Sequence, residues 1–561
     1  MAEDLTSIRS KGEAYVWLTS MGLTLGLCMI IGLLGLIAYE GLNVFWPKRI
    51  VEITLKEGSG GAIQGKLTIS GQVTTEREKL SRDRDPKTGE LLPAVHERQL
   101  FVGSKEVYGF AFRFIDDADI LSTDVPEGIM RFERTELGDM IGYPIALVVS
   151  ADERITADDP TFKSRLSVAV SEAVKRRKTI KQLEKVEIGK INHKVDVLKV
   201  EIRTLERAEA AGGTADDALK AQYQAKIDEL NKEYDVFKEE VDALREEQAK
   251  LQFEYKLTTG QEKVMPVGKI ISYYYPNQLG FTGRLSHFIS RIWHFVSEDP
   301  REANTEGGIF PAIFGTLVMT VIMSLMVTPF GVIAAIYLRE YAKQGPLVRM
   351  VRIAINNLAG VPSIVFGVFG LGFFVYLVGG SIDEWFFSDK LPASTFGTGG
   401  IMWAAFTLAL LTVPVVIVAS EEALASVPRG VREGSLACGA SRWQTIQRVV
   451  LPASAPGIMT GVILAMARGA GEVAPLMLVG VIKHAPALPV NGTPPFIHLD
   501  QKFMHLGFHI YDLGFQSPDS EAAKPMVFAT TLLLIALVVV LNLAAIIVRE
   551  RLRRKYATGA F

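Results

Sequence analysis

Apolar residues gather along the chain in six runs of about the length needed to cross a bilayer, at residues 17–39, 313–338, 352–378, 400–419, 453–482 and 525–548. The fifth is long and interrupted. Between the first two runs the pattern changes twice. Residues 50–150 contain alternating stretches such as Lys66-Leu67-Thr68-Ile69-Ser70 and Tyr108-Gly109-Phe110-Ala111-Phe112-Arg113-Phe114, cut by Asp-Pro and Gly turns. They predict a small β-rich domain, joined by a second β contribution over 255–280. From about 165 the spacing becomes three and four: Ile188, Ile191, Val195, Leu198, Ile202 and Leu205, then Leu230, Tyr234, Phe237, Val241 and Leu244, with Gly212-Gly213-Thr214 between. Such heptads predict an antiparallel coiled-coil hairpin over 165–255 with the glycine pair at its tip. Arms of roughly 35 to 40 residues would reach about 50 to 60 Å. A solvated spine and a partner-binding arm fit this pattern equally. Over 284–297, Leu285, Phe288, Ile289, Ile292, Trp293 and Val296 share one face while Arg284, Ser286, Ser290 and Arg291 take the other. That is an interfacial helix, too short to cross.

Charge divides the 561 residues in the same way. Of the hundred residues 161–260, 39 are charged, against 34 of the 261 residues 301–561. The first stretch suits water and the second suits lipid. A net charge of −2 lacks the basic balance of a nucleic-acid binder. Cys28 lies in an apolar run and Cys438 in a distant polar loop, which excludes a disulfide framework. The first run is longer than a signal-peptide core and has no A-x-A site after it, so it stays as an anchor.

Orientation follows from Lys and Arg in the short loops. Arg339, Lys343, Arg349 and Arg352 follow the second run, Arg429, Arg432, Arg442 and Arg448 the fourth, and Arg549, Arg551, Arg553, Arg554 and Lys555 the sixth. The positive-inside bias predicts both termini in the cytoplasm. The expected organisation is a cytoplasmic tail 1–16, a first transmembrane helix 17–39, an extracytoplasmic insert 47–305, five further transmembrane helices within 308–550, and a tail 551–561. In a bacterium-like cell the insert is periplasmic and the membrane the inner one.

Little here suggests covalent chemistry. The run Gly60–Lys66 imitates a phosphate-binding P-loop, but Leu67 stands where a hydroxyl would hold magnesium, and no helix pattern follows. Ile69-Ser70-Gly71-Gln72 hints at a transporter ATPase signature but lacks its second Gly and lies in an alternating run. A β-hairpin explains both. His505 and His509, with His498 nearby, could share a helix face as metal ligands, yet no acidic third ligand is well placed. They read as residues of a wet external loop. No nucleophile elbow, zinc-protease motif or kinase set is present.

The most informative segment is Ser420–Pro452. Pro428 can start a helix, Gly439 can stop one, and Ser441-Arg442-Trp443-Gln444 is a capping-box pattern that starts another. The segment therefore predicts a bent pair of short helices. Arg429, Arg432, Glu433, Arg442 and Trp443 are expected to be exposed and suited to docking on a protein surface. An amphipathic loop resting on headgroups is the plainer reading.

These residues carry a resemblance. Glu433-Gly434-Ser435, then Gly439-Ala440, then Val449-Val450-Leu451-Pro452 resembles the EAA loop of ABC-importer permeases, with Gly434 and Ser435 in place of two alanines at some cost in helicity. The runs Gly308–Thr316, Tyr337-Leu338-Arg339-Glu340-Tyr341, Val361–Gly367 and Ala467–Pro475 are similar to the PstA permease family of phosphate-specific importers, over about residues 305–550. The resemblance implies a six-span, mainly α-helical type I permease fold with the insert added. It also implies a PstC-type permease partner, a dimer of PstB-type ATPases, a PstS-type periplasmic phosphate-binding protein, inorganic phosphate as cargo and surrounding membrane lipid. No cofactor is expected in this chain, since ATP and magnesium belong to the partner ATPase. The chain is then a transport subunit and no enzyme. The coupling residues would be Arg432, Glu433, Gly434, Ser435, Gly439, Ala440, Leu451 and Pro452.

Arg468 and Glu472, four residues apart in the fifth run, are expected on one helical face. A charge at the bilayer centre costs about 2.5 to 3.5 kcal/mol by insertion scales, so such residues face a bundle interior or a water-filled path. The plainer reading is an ion pair that fastens helices. Arg468 is the expected pathway cation, with Glu472 holding it when the path is empty. Pro362, Gly367, Gly469, Gly471 and Pro475 offer either hinges or close packing. Rival readings are a permease for another oxyanion or small solute, and a transmembrane sensor.

Overall fold

The computed structural model describes residues 3–56, 67–79, 94–103, 105–150, 153–210, 212, 216–301, 304, 306–485, 487–492, 496–517 and 520–557. Gly60–Lys66, and Gly213 and Thr214 of the hairpin tip, lie outside the described residues. Six described helices are long and apolar enough to span a membrane: Tyr15–Asn43, Phe310–Tyr341, Ser363–Phe386, Ile401–Ser426, Arg442–Gly471 and Ala523–Lys555. The chain is a mainly helical, multi-pass membrane protein.

Two spans differ from the apolar runs that suggested them. The third run is two helices, because Asn357, Gly360 and Pro362 break it. Pro346–Leu358 is a separate amphipathic helix, and the span starts only at Ser363, after Pro362 at its N-cap. The fifth helix stops at Gly471, where Glu472 turns extended (φ −80°, ψ 131°), and a short helix Ala474–Val479 follows. Hydropathy averaged over a window cannot register either break.

The fourth span is the centre of the bundle. Its Trp403, Ala404, Leu408 and Val416 are buried against Met319, Met323 and Val327 of the second span. Small residues let the backbones approach. A Cβ on Gly331 would meet Val416 at 2.6 Å, and one on Gly461 would meet Ala419 at 2.6 Å. The first span touches the sixth only near its end, where Gly41 lies against the Phe528 carbonyl and Leu532.

Among its described residues the insert contains two larger antiparallel sheets, besides a two-residue pairing of Pro300–Arg301 with Glu306–Gly307 at its end. The first is built from β1 (Ile50–Leu55), β2 (Leu67–Lys79), β3 (Val95–Phe101), β4 (Phe112–Asp116) and β5 (Ile120–Asp124), in the order β4-β3-β2-β1-β5. Within Tyr108–Phe114 the alternating pattern is broken by Gly109 (φ +75°), so only Phe112 onward is strand. The second sheet joins β6 (Met130–Arg134), β7 (Met140–Val148) and β8 (Arg154–Thr156) to β9 (Gln252–Lys256), β10 (Glu262–Pro266) and β11 (Ile270–Tyr274), which come after the helical hairpin. Leu147 pairs with Phe253 and Phe132 with Tyr273, so the strands beyond the hairpin close onto those before it. Phe162, Leu166 and Val170 of the first hairpin helix cover this sheet.

That helix, Phe162–Gln182, runs through a π turn into Ile188–Ala210, and Asp217–Lys250 returns alongside. Ile191, Val195 and Ile227 are buried between the arms, supported by Leu198, Ile202, Leu230, Tyr234 and Phe237. The hairpin is tied to later parts of the chain near both of its ends. Lys181 pairs with Asp299 just before the second span. At the far end the Arg207 guanidinium donates to the Ser388 carbonyl and, at 3.1 Å, to that of Leu391, in the loop after the third span.

Candidate functional site: the elbow and the break in the fifth span

Between the fourth and fifth spans the chain forms a compact elbow. Arg429–Ala437 is its first helix. It ends because Gly439 takes a left-handed conformation (φ +84°), with its N–H donating to the Leu436 carbonyl at 2.9 Å. The second helix opens on a complete capping box: the Gln444 N–H donates to Ser441 Oγ at 3.2 Å, and the Ser441 N–H to Gln444 Oε1 at 2.8 Å. Ser435 Oγ lies 2.9 Å from Thr445 Oγ1 and ties the two helices together. Both turns are encoded locally, so the bend is rigid.

The elbow has an outer and an inner face. Glu433, Gly434 and Gly439 are exposed, and so are the apolar Val431, Leu436 and Trp443. A Cβ at Gly434 or Gly439 would meet nothing within 4 Å. Ile446 and Val450 are buried against Leu424 and Val427 at the root, while Ser435, Ala440, Leu451 and Pro452 are partly covered. Arg432 departs from the sequence expectation of an exposed docking side chain. Its Nη1 donates to the Val427 carbonyl at 2.7 Å, and its Nη2 to the Leu424 carbonyl and, at 3.1 Å, to Glu340 Oε1. The guanidinium thus clasps the elbow to the last turn of the fourth span and the end of the second. Beside it, Arg352 Nη2 donates to Glu421 Oε1 at 3.2 Å. Sequence reasoning missed Glu340 and Glu421. The available signal was a carboxylate placed at the end of an apolar run.

The second feature is the interruption of the fifth span. Gly469 packs against the Met323 sulfur, in the middle of the second span, so the helix that ends at Gly471 ends inside the bundle. Non-helical backbone at membrane depth persists only where protein buries it or water lines it. Arg468 Nε lies 3.6 Å from Glu472 Oε1, too far for a hydrogen bond. Glu472 sits beyond the helix, which corrects the expectation of one shared helical face. Nor does the pair fasten separate helices, since both residues belong to one segment. Arg468 complements the carbonyl end of its own helix. It is 36% exposed in the isolated chain, on the side of exposed Leu464 and Gly471. A half-open guanidinium among apolar spans requires protein or water opposite it, because lipid cannot solvate it.

The candidate hinges separate by their contacts. Gly469 and Gly367 serve packing, since a Cβ on Gly367 would lie 2.7 Å from Pro475 Cα, whereas Gly471 has open space.

His505 and His509 are buried, contrary to the wet-loop expectation. His505 caps the short helix Leu506–Tyr511, its Nδ1 accepting from the Gly507 N–H at 3.1 Å. The nitrogens of His509 have no partner, and no metal-binding group occurs among the described residues. Burial holds the pKa of His505 at about 3 and of His509 at about 4, so both are neutral.

Residues 327–557 match the family model described as binding-protein-dependent transport system inner membrane component. The chain is 31% identical over 260 residues to the probable ABC transporter permease protein YqgI of Bacillus subtilis, spanning 45% of this chain and 81% of that protein. It is 33% identical over 243 residues to the phosphate transport system permease protein PstA 1 of Mycobacterium tuberculosis, spanning 43% of this chain and 71% of that one. Against the phosphate transport system permease protein PstA of Mycobacterium leprae it is 39% identical over 175 residues, 31% of this chain and 52% of the relative. The chain belongs to this family of inner membrane components and is a membrane permease of an ABC importer.

Proposed function

We propose that this permease carries inorganic phosphate inward, with Arg468 as the cation of the pathway and the elbow as its link to ATP hydrolysis on a partner. The single observation behind the coupling half is the clasp. An elbow that is exposed outside and bonded at its root to two spans through Arg432 is a lever that can transmit a push. Relatives named phosphate transport permeases support the cargo. In this reading the elbow side is cytoplasmic, the termini are cytoplasmic and the insert is periplasmic. A PstC-type permease supplies the other half of the pathway, a PstB-type ATPase dimer seats the two elbows and holds ATP with magnesium, and a PstS-type protein delivers phosphate.

The chemistry at Arg468 suits such cargo. Phosphate arrives hydrated and negatively charged, and a guanidinium fork replaces part of its shell with two aligned donors. Glu472, 3.6 Å away, keeps Arg468 partnered when the path is empty, so that releasing phosphate does not strand a bare charge. Closure of the ATPases moves the elbows, and the clasp carries that motion to the second and fourth spans, which pack on the broken fifth. The test is uptake of labelled phosphate by vesicles containing the assembled importer, with and without ATP on the elbow side. Wild-type uptake should need ATP and resist competition by molybdate and sulfate, and Arg468→Gln should abolish it while assembly persists. Normal uptake by that variant rejects the role of Arg468, and stronger competition by another oxyanion rejects phosphate as cargo.

A further inference from the structure

A cleft of about 570 Å³ opens where the first sheet meets three membrane-level elements: the end of the first span at Asn43, the interfacial helix Phe281–Ser297, and the start of the sixth span at Pro525 and Met526. The helix has three distinct faces. Phe281, Leu285, Ile289 and Trp293, each four residues apart, form an exposed stripe. Phe288, Ile292 and Phe295 pack into the apolar cluster of Phe45, Ile309 and Ala312. His287, Arg291 and His294 line the cleft. A helix with a bare aromatic stripe and a buried apolar seat lies along the boundary between headgroups and acyl chains. The cleft it borders is therefore at headgroup level.

Most charges in the cleft are already matched. Arg131 Nε donates to Asp139 Oδ2 at 2.7 Å, Arg301 pairs with Glu133, and His294 Nδ1 lies 2.7 Å from Glu298 Oε1. Among the cations of the cleft Arg291 is the exception, with no hydrogen bond or ion pair among the described residues; the carboxylate without one is Glu40, which acts on Lys48. Close by, the Nε2 of His287 is buried without a partner, its ring 4.0 Å from that of Tyr274. Burial, together with Arg291, Arg131 and His294, pushes the His287 pKa down to about 4, so the ring is neutral and can donate one N–H. Lys48 adds a second cation, partly buried and bonded to the Thr74 carbonyl at 3.3 Å, with Glu40 as its nearest counter-charge. An unmatched guanidinium beside an unsatisfied buried imidazole calls for an anion with more than one acceptor. A phosphodiester has one negative charge and two free oxygens, which match the guanidinium fork. Phe45, Phe295 and Met526 give the same cleft an apolar wall for the glycerol end of a lipid.

We propose that this cleft binds the phosphate of an anionic phospholipid headgroup, held by Arg291 and Lys48 with His287 as a neutral donor, and so fastens the insert to the membrane surface. Free inorganic phosphate offers the same oxyanion, and the apolar wall is what favours the lipid. None of these residues belongs to the pathway or the elbow, so the site stands or falls independently of the cargo.

The test uses the purified full chain in neutral detergent, titrated with phosphatidylglycerol or phosphatidylcholine and read by native mass spectrometry. Phosphatidylglycerol should be retained more strongly than phosphatidylcholine, which has the same phosphodiester but a choline cation that Arg291 and Lys48 repel, and equal retention of the two overturns the anionic preference. Arg291→Gln should weaken retention roughly five-fold, the usual effect of one basic group near an anionic headgroup. Arg203→Gln, on the exposed hairpin, should change nothing. Because Arg291 has no partner among the described residues, the Gln variant should keep the wild-type thermal midpoint. Millimolar inorganic phosphate should leave lipid retention unaltered. Equal retention by wild type and Arg291→Gln overturns the proposal, and displacement of the lipid by inorganic phosphate overturns it in favour of a free-phosphate site.

Discussion

Replacing Arg432 with alanine asks whether elbow and spans move as one body. The guanidinium makes three bonds, to the carbonyls of Leu424 and Val427 and to the Glu340 carboxylate. Bonds to a charged donor contribute about 1.5 to 3 kcal/mol each when fully buried. Here the Arg432 and Glu340 side chains are 18% and 15% exposed, so water screens the pair and rehydrates the freed carbonyls. A net clasp of about 2 to 3 kcal/mol remains, and its loss raises the detached population roughly 30- to 150-fold. The elbow itself should stay folded, because the Gly439 turn and the Ser441–Gln444 box make no use of Arg432. The assay is phosphate moved per ATP hydrolysed in vesicles holding the assembled importer. Arg432→Ala should keep basal hydrolysis and lose at least about ten-fold in phosphate moved per ATP, by the same population argument. Glu340→Ala should act in the same direction, and the double variant should be little worse than Arg432→Ala alone. Unchanged stoichiometry in Arg432→Ala, or fully additive losses in the double variant, would refute the lever.

Two further predictions concern other parts of the molecule. Unfolded histidines titrate near pH 6.5, whereas burial holds His505 and His509 at about 3 and about 4, with Asp512 and His484 beside His509. Between pH 6.5 and about 4 the unfolded chain therefore takes up protons that the folded chain refuses. Stability is full above 6.5 and falls as pH drops, by up to about 1.4 kcal/mol per unit for each histidine. His287, also held at about 4, adds a third such titration. His505→Asn keeps a capping acceptor but removes one of the three; the slope of thermal midpoint against pH should fall by roughly a third, and an unchanged slope would contradict the assignment. The far end of the hairpin should be reachable by a short thiol crosslinker joining Arg207→Cys to Asp389→Cys once Cys28 and Cys438 are replaced by Ser; absence of that product would place the hairpin elsewhere.

What could be read from sequence depended on how local its cause was. The elbow was legible because Gly439 and the Ser441–Gln444 pair act within four residues, and the apolar runs were legible because a span needs only length and hydropathy. The Arg432–Glu340 clasp was not, since its partners are 92 residues apart and each looks like an ordinary exposed charge. The stop at Gly471 was legible only as a candidate break, since Gly469, Gly471 and Pro475 fit close packing equally well and Val473, Ala474, Leu476 and Val479 continue the apolar run although the backbone no longer continues the helix. Burial of His505 and His509 follows from packing against the second span, where the Leu506 N–H donates to Thr316 Oγ1 at 2.9 Å, 190 residues away. No neighbouring residue announces that contact.

The central claim, that a push on the elbow exposes the Arg468 region to alternate sides of the membrane, can be tested by accessibility. Leu464→Cys, one turn before Arg468 on the same open face, would be introduced into the chain after Cys28 and Cys438 have been replaced by Ser, and the importer assembled in vesicles. Labelling by a membrane-impermeant thiol reagent should switch sides when the partner ATPase is trapped with nucleotide, and Arg432→Ala should suppress the switch. Labelling from one side only, identical with and without trapped nucleotide, would contradict the account.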